Sequence, residues 1–144
     1  MKLKITIDRE REEEILIFVH GRTKLINDIE SLVNNSTIEL IGYSETQARR
    51  ITPSLVTCFT VENSKVYALT GKEKLQIKMR LYQLEEILDV GFVKINQSCI
   101  ANIKEIERFD TSVSGTLKVI FKNGVTDYVS RRNIKMVKDR LGVK

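Results

Sequence analysis

Two clusters of polar side chains could recognise a ligand. In "FVKINQSCIAN" (Phe92 to Asn102) an apolar run is interrupted by Asn96, Gln97 and Ser98, a tripeptide with no glycine, proline or charge. Further on, "SRRN" sets Ser130, Arg131, Arg132 and Asn133 where a strand pattern changes into a helix pattern. Carboxamides and guanidinium groups pair bidentately with base edges, while hydroxyls and cations bind phosphate oxygens. Helix N-termini also favour phosphate. A plainer reading stands beside each. "NQS" can be a turn that satisfies its own backbone, and Ser130 an N-cap followed by solvated arginines.

Other chemistries find little support. The one histidine, His20, lies in an apolar run and is expected to be a structural residue. Cys58 and Cys99 are far apart in apolar contexts, which suits buried thiols better than a zinc site or a disulfide. The acidic run around Glu12 lacks calcium-loop spacing, and no phosphate-cradling glycine motif is present. No catalytic constellation and no cofactor are therefore expected. No apolar run is long enough to span a membrane, so a soluble cytoplasmic protein is expected.

Charge divides unevenly along the 144 residues. Residues 1–45 hold 6 basic and 9 acidic side chains, net −3, whereas residues 46–144 hold 18 and 10, net +8. A basic unit behind a mildly acidic one suggests a polyanion partner for the C-terminal part.

The elements that would position the polar clusters are mostly strands. "KLKITID" alternates strictly and "ILIFVH" is continuously apolar; both are expected strands. A helical period over Arg22–Val33, closed by "NNST", and a strand at "IELIGY" complete an expected small β-β-α-β unit over residues 1–45. "SETQARRITPS", with the only proline, is expected as linker or loop. Strands follow at "LVTCFTV", "KVYALT" and "LQIKM", with "ENS" and "GKE" as turns. A helix fits "MRLYQLEEIL". Strands resume at "FVKI", "IERFD", "TLKVIF" and "TDYVS", with Asn123-Gly124 as a hairpin signal, and "RRNIKMVKDRL" is a last helix.

The run "LYQLEEIL–DVG–FVKINQSCIANIKEIERF", followed by "GTLKVIFKNG–TDYVSRRNIKMVKDRLG", resembles the LytTR DNA-binding domain over roughly residues 50–144. The matching residues are Phe92, Lys94, Ser98, Ile100, Asn102 and Ile106, then Asn123-Gly124 and Ser130, Arg131 and Arg132. The resemblance implies a mostly β fold with small helices (α+β), built of short antiparallel sheets over 46–144. It implies recognition of double-stranded promoter DNA by loops entering successive major grooves of a repeated site.

Carried over residue by residue, it implies DNA contacts by Lys65 in the "NSK" turn and by Lys94. Asn96 and Gln97 would be base readers, Ser98 would bind phosphate, and Ser130, Arg131 and Arg132 would contact DNA at the junction. Arg132 matches the family's DNA-contacting arginine, and Arg131 would bind phosphate. Lys94 in place of arginine, the Asn96-Gln97 pair and Ala101 in place of valine depart from the pattern, so base preference does not transfer. Asn102 is expected to be a buried hydrogen-bonder.

No receiver domain fits in 45 residues, so the chain looks like the stand-alone LytTR regulators. That implies a homodimer, at least on DNA, and a small membrane-protein antagonist as a further partner. A different reading is an interaction module, whose basic face or N-terminal strand edge binds an acidic or membrane-protein partner.

Overall fold

Strands β3 (Val56–Glu62) and β7 (Cys99–Asn102) bury successive residues over most of their length because both of their faces are covered. Phe59 and Ile100 point to one side of their sheet, Cys58, Cys99 and Ala101 to the other, and all five are buried. Alternation vanishes from such a strand, as expected when core lies on both faces. The computed structural model describes residues 1–33, 38–111 and 115–142. The expected helix-closing "NNST" lies outside the described residues.

Around that pair a seven-stranded antiparallel sheet forms, in the order β2-β1-β5-β4-β3-β7-β6. Its other members are β1 (Leu40–Tyr43), β2 (Ala48–Ile51), β4 (Lys65–Thr70), β5 (Glu73–Ile77) and β6 (Phe92–Asn96). A second antiparallel sheet has the order β10-β9-β8, from β8 (Ile106–Asp110), β9 (Leu117–Phe121) and β10 (Thr126–Val129). Helix α2 (Leu81–Ile87) places Leu81 and Leu84 on the face that carries Phe59, Phe92 and Ile100. The opposite face, with Cys58, Val93 and Ile95, packs on Leu117, Val119 and Phe121 of the second sheet and on Val137 of α3 (Ile134–Leu141). The expected mostly β fold with small helices is what forms.

Turn chemistry sets the registers. Asn63 and Ser64 have φ of 50° and 65°, the double left-handed turn that matches hairpin twist, and bring Lys65 opposite Glu62. At the β9–β10 turn Gly124 takes a φ of 89° and the Asn123 side chain accepts from the Val125 N–H at 3.1 Å. Asn102, 2% exposed, donates its amide to the carbonyls of Val56 (2.8 Å) and Ser54 (3.2 Å), the buried role expected of it.

Three expectations change. "SETQARRITPS" contains β2, which pairs Leu40–Tyr43 with Ala48–Ile51. β2 is an edge strand with three of its four residues exposed, held by ion pairs from Arg49 to Glu73 and Arg50 to Glu39. No apolar alternation betrays such a strand. "KLKITID" and "ILIFVH" join no sheet; every residue from 1 to 20, including His20, is exposed. Both segments have strand patterns but no ladder among the described residues. Helix α1 (Lys24–Val33) does form, with no buried residue.

Candidate nucleic-acid interface

The tripeptide of "FVKINQSCIAN" is a two-residue hairpin turn, with Asn96 opposite Cys99 and Gln97 and Ser98 at the tip. Its lack of glycine is explained by Asn96, whose side-chain oxygen accepts the Ser98 N–H at 2.7 Å. This Asx-type bond does the bending that a glycine would otherwise allow. A register irregularity between Lys94 and Asn96 accompanies it and buries Ile95 fully. Gln97 and Ser98 remain exposed.

Asn96 also ties the turn to the second sheet. Its NH2 group donates to the Asp127 carboxylate at 3.0 Å and to the Tyr128 carbonyl at 2.7 Å. Both amide donors and the carbonyl are thus engaged within the chain. Asp127 Oδ1 also accepts the Tyr128 N–H at 2.7 Å. The Ser98 carbonyl in turn accepts the Val61 N–H at 2.9 Å, which fastens the tip to β3.

The free edge of β6 is closed by the junction after β10. Ser130 N–H donates to the Ile95 carbonyl at 2.9 Å, and the Asn133 amide donates to the Lys94 carbonyl at 3.3 Å. Ser130 opens a 3-10 turn at Arg131–Asn133 that leads into α3. Its hydroxyl makes no capping bond, so the side chain is not used as an N-cap. This junction carries Arg131 and Arg132 to the surface beside the β6–β7 turn.

One groove results. Lys94, Asn96, Gln97, Ser98, Ser130 and Arg132 line an open depression of about 690 Å³ together with Asn133. Six of the eight expected site residues therefore converge, although 31 residues of chain separate Ser98 from Ser130. Arg131 is exposed next to the groove without lining it. Lys65 is exposed at the start of β4; the Thr60–Cys99 pairing places its turn at the same end of the sheet as the β6–β7 turn. Two interstrand spacings, about 10 Å, separate β4 from β7.

Charge at this end is largely uncompensated. Among the described residues, no carboxylate lies within ion-pair range of Lys65, Arg131 or Arg132. Lys94 is nearer a counter-charge, 3.7 Å from Glu85. Beneath the turn the Cys99 thiol is pushed far above its ordinary range, first by its hydrogen bond with Cys58, then by burial and the charge of Asp127. A buried thiol held protonated is no nucleophile. Sequence reasoning missed the clamp formed by Asp127, the Tyr128 carbonyl and Asn133. Only the match between Asn96 and an acid on β10 of the second sheet could have signalled it.

Comparison with known proteins agrees with this architecture. Residues 46–142 match the family model of the LytTr DNA-binding domain. The chain is 32% identical over 148 aligned positions to an uncharacterized HTH-type transcriptional regulator of Staphylococcus aureus strain NCTC 8325, covering 99% of each. A regulator of the same description from strain N315 matches to the same extent. Despite that description, α1, α2 and α3 are separated by strands, so no two of them form a helix-turn-helix among the described residues. The LytTr DNA-binding domain of a Bacillus cereus protein superposes with a TM-score of 0.68 at 18% identity, over 72% of this chain and 96% of that one. The chain belongs to the LytTR DNA-binding domain family.

Proposed function

We propose that this protein is a sequence-specific, double-stranded DNA-binding transcriptional regulator that reads promoter repeats through the β6–β7 turn and the Ser130–Arg132 junction. The observation that carries this reading is the groove itself. It brings an exposed carboxamide, an unpaired guanidinium and two hydroxyls together at one end of a rigid sheet. A major groove about 12 Å wide admits two such adjacent loops.

The roles follow from what each side chain has left to offer. Gln97 is exposed and its side chain makes no hydrogen bond among the described residues, so it reads a base. Arg132 is a second base reader, suited to the two acceptors of guanine. Asn96 positions the turn, because its donors are held by Asp127 and Tyr128. Ser98 and Ser130 bind phosphate through their hydroxyls, Lys65 and Arg131 through charge, and Lys94 supports the groove wall.

Selection of binding sites from random duplexes separates reading from positioning. Gln97→Ala should relax preference at one base position, costing about 1–3 kcal/mol there, with unchanged thermal stability. Asn96→Ala should weaken binding to all sequences alike and lower thermal stability as well. If Gln97→Ala selects the parental site with undiminished preference, the assignment of Gln97 fails.

A further inference from the structure

The apolar surface of this molecule is concentrated in one place. Of the 19 large hydrophobic side chains exposed among the described residues, 12 lie within the first 33. Leu3, Ile5 and Ile7 are 86%, 77% and 89% exposed and alternate with Lys2, Lys4, Thr6 and Asp8. The pattern is that of a strand, yet among the described residues no strand pairs with it. Nearby, Ile15, Ile17 and Val19 face Ile26, Ile29 and Val33 of α1 across an open groove of about 400 Å³. Apolar surface on this scale marks a protein contact.

The segment carries a clue to its occupant. Laid antiparallel against an identical strand with Ile5 on the twofold axis, it sets Leu3 opposite Ile7 and Ile5 opposite Ile5. In the same register Lys2 faces Asp8 and Lys4 faces Thr6, so each opposed pair is either apolar or free of like charge. A one-residue slip would mix the faces. Lys2 and Asp8 at opposite ends are what an isologous contact needs, because each appears twice and meets the other.

We propose that residues 2–8 pair antiparallel with the same residues of a second copy, forming a homodimer whose shared ribbon lays its apolar face over the Ile15–Val19 segments and α1. A two-stranded ribbon is marginal alone, and the apolar cover beneath it supplies the missing face. The two DNA-binding bodies are then coupled through a contact remote from the groove. The proposal does not depend on the DNA reading.

Sedimentation equilibrium of the full chain without DNA tests it. The parent should be dimeric at micromolar concentration. Ile5→Lys, which opposes two ammonium groups on the axis, should make it monomeric. Lys2→Asp and Asp8→Lys should each weaken association about tenfold by placing like charges opposite one another, twice per dimer. The double variant should return to within about threefold of the parent, because the pairs are restored in reverse. None of these side chains belongs to either core cluster, so the monomeric variants should still melt cooperatively, with any loss of strand dichroism confined to the ribbon. A monomeric parent overturns the proposal and assigns the surface to a different protein. A dimer indifferent to Ile5→Lys overturns it too, as does a double variant weaker than either single one.

Discussion

Residues 1–33 and the two-sheet body beyond them are written in similar language, with strand alternation and an amphipathic helix in each. Only the body buries what it alternates. Phe59 is fully buried between β3 and α2, whereas Phe18 is 92% exposed. The difference is one of available edges: β3 finds β4 and β7 on its two sides, and Leu3–Ile7 finds none among the described residues. Apolar alternation specifies which face of a strand turns inward, but forming that strand needs a partner.

The largest effect should come from exchanging the same side chain in the two regions. Phe59→Ala should cost about 3–5 kcal/mol in denaturant unfolding, since it empties a closed core. Phe18→Ala should fall within about 0.5 kcal/mol of the parent. Equal costs would erase the contrast. A smaller loss, about 1–3 kcal/mol, is expected for Asn102→Ala, which leaves the carbonyls of Val56 and Ser54 without their donor. The same substitution at the exposed Asn27 in α1 should have little effect on chemical denaturation of the body. Smallest of all, Ser64→Gly should raise the melting temperature modestly. It relieves a side chain held at φ 65°, a gain of roughly 0.5–1 kcal/mol. A drop in melting temperature would show that the turn is not strained.

Much of the body was legible because its turns are chemical. Asn123-Gly124 and "ENS" announced their hairpins, and the leucines of α2 announced their face. β2 was not legible, because Arg49 and Arg50 sit on a sheet edge where charge is stabilising and carries no pattern. The groove was half legible. The residues of "NQS" and "SRR" could be named from the LytTR resemblance, but their convergence depends on Ser130 N–H meeting the Ile95 carbonyl, a contact of two backbone groups that no side chain encodes. The division of labour between Asn96 and Gln97 was hidden for a similar reason. Two neighbouring carboxamides look alike until Asp127 is brought beside one of them.

In the proposed reading the groove end of the sheet contacts DNA, with Arg132 on a base and Lys65 and Arg131 on the backbone. A salt titration of binding to a footprinted promoter site, comparing the parent with Arg132→Ala, Lys65→Ala and Arg131→Ala, tests it most directly. Lys65→Ala and Arg131→Ala should each flatten the slope of log K against log salt by about 0.9 per bound chain while weakening all sequences alike. Arg132→Ala should cost about 1–3 kcal/mol on the cognate site and far less on a duplex altered at the base it reads. Parental affinity and parental slope in all three variants would show that this end of the sheet does not bind DNA.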